Sequence, residues 1–151
     1  MLGSVAIFSS GYSERTLNVI RHIISDFSRK GIRLFVYDKT GDYVKHVPGG
    51  QAEAFSDPSG LTVRPDLVLS VGGDGTFLET MILVKHLHVP VAGINTGRLG
   101  FLANIYEEEI CHSLDMLYNL DFDVVERSLL VVTEPSGKFG GYDPTALNEI
   151  T

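Results

Sequence analysis

Gly72, Gly73, Asp74, Gly75 and Thr76 set one carboxylate inside a run of three glycines. Residues 66–71 ahead of them are apolar and β-branched enough for a buried strand, and the stretch from 77 to 86, apolar nearly all round, reads as a well-buried helix. Glycines at such a strand-to-helix turn let the backbone approach a ligand that side chains would hold away. Thr76 is placed to cap the helix, with Glu79 three residues on to complete a capping box. Unpaired N–H groups at that helix start favour an anion such as phosphate. Asp74 is the unusual member, because a loop that only cradles phosphate has no use for a negative charge at its centre. The lysine and hydroxyl ending of a P-loop is missing, and Leu78 stands where a dinucleotide fingerprint needs its third glycine. Two readings of Asp74 are open. Its carboxylate holds a metal ion or takes a proton from an attacking hydroxyl, or an Asp-Gly pair simply suits a turn.

A second glycine-marked loop, Asn95-Thr96-Gly97-Arg98-Leu99-Gly100-Phe101-Leu102, follows an apolar run at 89–94 that reads as another strand. Pro90 fits the first residues of that strand, where a missing N–H is tolerated. In open parallel sheets ligands bind in the crevice beyond the carboxyl ends of the strands, so two such loops on neighbouring strands face one site. Phe101 either offers an apolar face to a flat base or fills the core beneath the loop. His86 and His88 are two residues apart and so do not share a helical face, which disfavours a metal pair; cationic charge at a helix end is the simpler account.

These loops need a frame, and the earlier chain supplies one. Residues 4–8 read as a strand, and Ser9-Ser10-Gly11-Tyr12 as the turn after it. Ser13 is placed to cap a helix over 14–29, in which Leu17, Ile20, Ile23, Ile24 and Phe27 keep the 3.6-residue period and Gly31 marks the end. Residues 32–37 make the next buried strand, completing a right-handed βαβ unit. Residues 38–64 form an irregular connection with one helical turn expected at 52–55, either a segment that moves over the site or a plain surface link. Asn104 is placed to cap a helix starting near Ile105, with Glu107, Glu108 and Glu109 complementing its dipole, a solvated helix start with no catalytic role. Ile110, Leu114 and Leu117 form its buried stripe, and Cys111 is expected as a small core residue. From Val124 the pattern changes to short strand-like runs with a Pro135-Ser136-Gly137 turn and no helix. The expectation is an α/β domain over 1–124, an open, mostly parallel sheet flanked by helices, and the beginning of a truncated β-rich domain over 125–151.

Composition narrows the partners. With 151 residues and a net charge of −7, the chain has a core's worth of apolar residues and no basic patch for nucleic acid or anionic membranes. The single cysteine excludes an internal disulfide and a cysteine-based metal site, which suits a reducing compartment. No run is long enough for a transmembrane helix, and the N-terminus lacks the basic start of a signal peptide, so the cytoplasm is the default.

Taken together and in order, Gly72 to Thr76, Asn95 to Leu102 and Ala146-Leu147-Asn148-Glu149 resemble the three signatures of the NAD kinases. Gly-Gly-Asp-Gly alone is shared with 6-phosphofructokinases and diacylglycerol-type lipid kinases; the ordered set is more specific. The resemblance implies a Rossmann-like or phosphofructokinase-like α/β domain, here with the N-terminal half of the family's usual length. It also implies phosphorylation of the adenosine ribose 2′-hydroxyl of NAD by ATP, or by polyphosphate, to give NADP. Asp74 would orient or deprotonate that hydroxyl, Gly72, Gly73, Gly75 and Thr76 would meet the ligand at the turn, and Asn95 would stand beside them. Phe101 and Leu102 would line the adenine pocket, and Asn148 and Glu149 would hydrogen-bond the nucleotide. Magnesium would accompany the phosphates. The implied partners are small nucleotides, with a homo-oligomer at full length, and a chain of this length alone is expected to be inactive. A lipid kinase domain and a non-catalytic nucleotide-binding module are the alternatives.

Overall fold

Both faces of an all-parallel sheet must be covered, so its strands read as short, continuous apolar runs joined by helices. The structure, a computed structural model, describes residues 1–38, 52–97, 100–133 and 144–147. Six strands, β1 (Ser4–Phe8), β2 (Arg33–Tyr37), β3 (Glu53–Phe55), β4 (Leu67–Gly72), β5 (Val91–Asn95) and β6 (Ile105–Tyr106), form one sheet in the order β3-β2-β1-β4-β5-β6. Every pairing in it is parallel. Three helices, α1 (Glu14–Arg29), α2 (Asp74–Val84) and α3 (Ile110–Asn119), cover it. The open parallel α/β arrangement expected from the sequence is the observed fold.

Alternation along the strands builds two cores. Val5, Ile7, Leu34, Val36, Leu67, Leu69 and Val71 face α1 and α3, meeting Ile20, Ile23, Phe27, Leu114 and Leu117. Ala6, Phe8, Phe35, Tyr37 and Val68 face the other side, where Phe55 of β3 extends the same apolar face beside Tyr37 and Val84 of α2 packs against it. The α1 start is the expected one, with the Ser13 hydroxyl accepting from the Thr16 N–H at 3.2 Å. Its end is also as expected, since Gly31 adopts φ +74, a left-handed conformation that favours glycine.

Four local expectations are corrected. First, α2 begins at Asp74 with Gly73 as its cap residue and no side-chain cap, so Thr76 lies inside the first turn and cannot cap it. Only Thr80, Met81 and Val84 of this helix are buried and Leu78 is exposed, because helix-wide apolarity does not extend the area of sheet available to cover it. Second, Ile105 and Tyr106 extend the sheet as β6 beside the end of β5, and Glu107–Glu109 form a short 3-10 turn before α3. A free strand edge at β5 outweighs the local helix signal there. Third, residues 53–55 are a strand paired with β2 instead of a helical turn, while 39–51 lie outside the described residues. Fourth, Cys111 is exposed, one position past Ile110 on α3, with its Sγ 3.4 Å from His22 Nε2.

Beyond the six-stranded sheet, β7 (Leu129–Val131) and β8 (Thr145–Leu147) pair antiparallel. The turn expected at 135–137 lies outside the described residues. No helix among those described is long and apolar enough to cross a membrane.

At the opposite end of the sheet from the glycine loops, Asp66 ties β4 to β1. Its Oδ2 accepts from the N–H groups of Gly3 and Ser4, each at 2.9 Å, and lies 3.2 Å from Ser4 Oγ. Asp66→Ala strands those donors and is expected to lower the unfolding free energy by about 1–2 kcal/mol, read from the midpoint of chemical denaturation. A midpoint unchanged from the wild type would refute this anchoring role.

Candidate functional site

β1 and β4 are neighbours in the sheet although α1, β2 and β3 separate them in sequence. Their following connections therefore diverge at the carboxyl ends, which is where open parallel α/β sheets take their ligands. Three loops meet there: Ser9 to Tyr12 after β1, Gly72 to Thr76 after β4, and Asn95 to Ala103 after β5. The Ser10 and Thr76 hydroxyls are 2.8 Å apart and join the first two loops. The Thr96 N–H donates to the Gly72 carbonyl at 3.1 Å, joining the second and third. Gly72 has no freedom to be anything larger, because a Cβ there would lie 2.3 Å from Thr76 Oγ1.

Asn95 is buried at the end of β5, paired in register with Gly72. Its Oδ1 accepts from the Gly97 N–H at 2.8 Å, an Asx turn that starts the loop, and its Nδ2 donates to the Ala103 carbonyl at 3.4 Å. One side chain thus fixes both ends of the third loop. Thr96, also buried, places its Oγ1 3.3 Å from Thr16 Oγ1 on α1.

Asp74 is the centre of the arrangement. Its Oδ2 accepts from the Phe101 N–H at 2.8 Å, and its Oδ1 from Leu102 at 3.0 Å and Ala103 at 3.2 Å. The Phe101 amide, then those of Leu102 and Ala103, favour the ionised carboxylate and hold its pKa below the ordinary aspartate range against a partial desolvation that raises it. Asp74 is therefore far more than a turn-former; it links the second loop to the third across 27 to 29 residues of sequence. Phe101 is 96% exposed, so it is not a core aromatic under the loop. Leu102 is half-buried and borders a cleft of about 850 Å³ between α2, β5 and the β7–β8 pair. That cleft touches the glycine loops only through Leu102 and includes neither Asp74 nor Gly75.

Of the residues expected at a site, Gly72, Gly73, Asp74, Gly75, Thr76, Asn95, Phe101 and Leu102 converge on this one end of the sheet. Asn148 and Glu149 lie outside the described residues, directly after β8. Ser10, Thr96 and Gly100 also belong to the cluster; the motif reading includes Thr96 and Gly100 within the second glycine-marked loop without giving either a role, and the signal for Ser10 is its position directly after β1. Among the described residues no group of three or more His, Cys, Asp or Glu could hold a metal ion. The one central carboxylate is already saturated on Oδ1 by amides. These residues do not fit a resident metal centre.

The sheet order and the three converging loops define an open, Rossmann-like α/β domain with those loops gathered at the switch point between β1 and β4. Residues 59–122 match the family model described as ATP-NAD kinase N-terminal domain. The chain is 32% identical over 146 residues to the NAD kinase of Cytophaga hutchinsonii, covering 95% of this chain and 50% of that protein. It is 45% identical over 85 residues to the NAD kinase of Bacteroides fragilis, covering 56% of this chain and 29% of that protein. The crystal structure of yeast NADH kinase complexed with NADH superposes with a TM-score of 0.66 at 17% identity, over 85% of this chain and 41% of the yeast one. Over most of its length this chain is similar to NAD kinases. It spans about half the length of the curated relatives it matches.

Proposed function

We propose that the intact protein transfers the γ-phosphoryl group of ATP, or a phosphoryl group of polyphosphate, to the adenosine ribose 2′-hydroxyl of NAD, giving NADP. The observation that carries this reading is the Asp74 carboxylate, fixed between two glycine loops at the switch point. Phosphoryl transfer needs little covalent chemistry from a protein and much positioning, and that is what this site is built to supply. A bond forms between the 2′-oxygen and phosphorus, the bond from phosphorus to the ADP oxygen breaks, and the hydroxyl proton leaves. Asp74 is the acceptor that orients the hydroxyl or takes its proton. Gly72, Gly73 and Gly75 keep the backbone low enough for the ribose and phosphates to approach, and the Thr76 hydroxyl and helix start face them.

Exposed Phe101 and half-buried Leu102 supply apolar surface for the adenine, and Asn95 holds the loop that presents them. Asn148 and Glu149 are proposed to hydrogen-bond the nucleotide on motif grounds. Magnesium belongs to this scheme as the ion carried by the triphosphate, where it neutralises phosphate charge. A net charge of −7 suits a protein whose partners are small nucleotides instead of nucleic acid or membranes. The free Cys111 suits the reducing cytoplasm.

The test is NADP formation by the intact protein with NAD and ATP, repeated with polyphosphate as donor, with NADH as acceptor and with a diacylglycerol acceptor. NADP formation from NAD is the expected result. Lipid phosphorylation without NADP, or nucleotide binding with no transfer, would overturn the reading.

A further inference from the structure

Gly100 has no catalytic atom to offer, yet it is the residue that decides whether Asp74 and the third loop can meet. A Cβ built on Gly100 would lie 2.3 Å from Asp74 Oδ1, 2.6 Å from its Cγ and 2.8 Å from its Oδ2. No carboxylate can stay in place at those separations. With hydrogen at this position, the chain wraps the carboxylate so closely that three successive amides, those of Phe101, Leu102 and Ala103, all point at it. The distribution among the two oxygens is uneven. Oδ1 takes two of the donors and has no in-plane lone pair left, whereas Oδ2 takes one and keeps the other.

We infer that Gly100 is a positioning residue for Asp74: it permits a three-amide clamp that holds the carboxylate as a fixed acceptor with Oδ2 open to a ligand hydroxyl. The clamp itself stands on the geometry; identifying the hydroxyl as the ribose 2′-hydroxyl rests on the function proposed above. Three charge-assisted bonds from consecutive amides fix both the place of the carboxylate and its rotation about Cβ–Cγ, so the free lone pair has a defined direction. The same contacts order the third loop, because Phe101 and Leu102 are placed by the N–H groups that grip Asp74. Filling the site and ordering the loop are thus two readings of one contact.

Gly100→Ala is a clean probe, because the atoms in its way are the end of a short side chain and no backbone atom is among them. The fold can stay while the carboxylate moves. The experiment is a double-mutant cycle in the intact protein with Gly100→Ala, Asp74→Asn and the pair, with Gly60→Ala, whose added Cβ meets nothing within 4 Å, as the control. Two readouts are taken: hydrogen exchange at the Phe101, Leu102 and Ala103 amides without nucleotide, and kcat/KM for NAD. Each single variant is expected to accelerate exchange at the three amides about 10-fold. Gly100→Ala is expected to lower kcat/KM roughly 100-fold, since displacement of a positioned group by about 1 Å has that effect. Adding Gly100→Ala to Asp74→Asn is expected to change neither readout by more than about twofold, because residues that act through one contact are not additive.

Unchanged exchange in Gly100→Ala, or full additivity of the two substitutions, would overturn the inference, since a glycine needed only for the loop's own backbone acts independently of Asp74. If the wild type forms no NADP, the proposed function fails instead, and the exchange cycle decides the clamp without any substrate.

Discussion

Replacing Asp74 by Asn in the intact protein is expected to lower kcat/KM for NAD phosphorylation by roughly 10²–10⁴-fold, the range in which a positioned acid or base acts. Asn keeps the size and removes the charge, so two contributions are lost together. The carboxamide is a weaker acceptor for a hydroxyl, and its NH₂ group faces amides that themselves donate, which loosens the Phe101–Ala103 segment. The effect should fall on kcat and on NAD affinity at once, unlike the loss of a group that acts only in the transition state. Retained turnover within about 10-fold would remove Asp74 from the centre of the site. Stability gives an independent check with a defined sign. The three amides hold the folded-state pKa of Asp74 below its ordinary value of 3.8. Its contribution to stability is then fully present above the unfolded-state pKa and is lost as pH falls through the folded one. The wild type should exceed Asp74→Asn in unfolding free energy by a constant margin from pH 7 to about pH 5, and that margin should shrink only below about pH 4.

The parts of this architecture that the sequence discloses are those with local causes. β1 and α1 are read correctly because a Ser13 cap, a 3.6-residue apolar period and a left-handed Gly31 all act within a few residues of where they are seen. β3 and β6 escape because each is short and exists only by pairing with a distant strand, β2 and β5 respectively. The acidic run at Glu107–Glu109 imitates a helix start and does lie just before α3, where Glu107 also pairs with Arg15 of α1 at 2.6 Å. Cys111 is misplaced by a single step of helical phase, since its neighbour Ile110 is the buried one. Within the site, motif and spacing locate Asp74, Asn95 and Phe101 but not what they touch. The Asp74–Phe101 contact joins residues 27 apart, and the Ser10–Thr76 contact joins residues 66 apart. Neither distance in sequence has a periodicity to betray it; only the strand order brings them together.

Gly93→Ala is expected to lower the unfolding free energy by about 3 kcal/mol, the upper part of the range for overpacking a core. Gly93 is buried in β5 opposite Ser70 of β4, and the chain returning from the third loop crosses directly over it. A Cβ there would lie 2.6 Å from Ala103 Cα, 2.9 Å from Phe77 Cδ2 and 3.0 Å from Ala103 Cβ. The nearest of these is a backbone atom, so no rotamer change relieves it, and the whole segment at Ala103 must lift from the sheet. Lifting Ala103 also breaks its N–H bond to Asp74 Oδ1 and draws its carbonyl away from Asn95 Nδ2. The packing fault is thereby passed to the site, and loss of NAD phosphorylation should accompany the loss of stability even at temperatures where the variant is folded. Thermal or denaturant unfolding of Gly93→Ala alone and combined with Ala103→Gly separates the causes. Removing the Ala103 methyl relieves only the 3.0 Å contact and leaves the 2.6 Å one, so the second substitution should restore little. Full rescue by Ala103→Gly would mean that the side chain, and not the close passage of backbone over β5, is what makes this position a glycine.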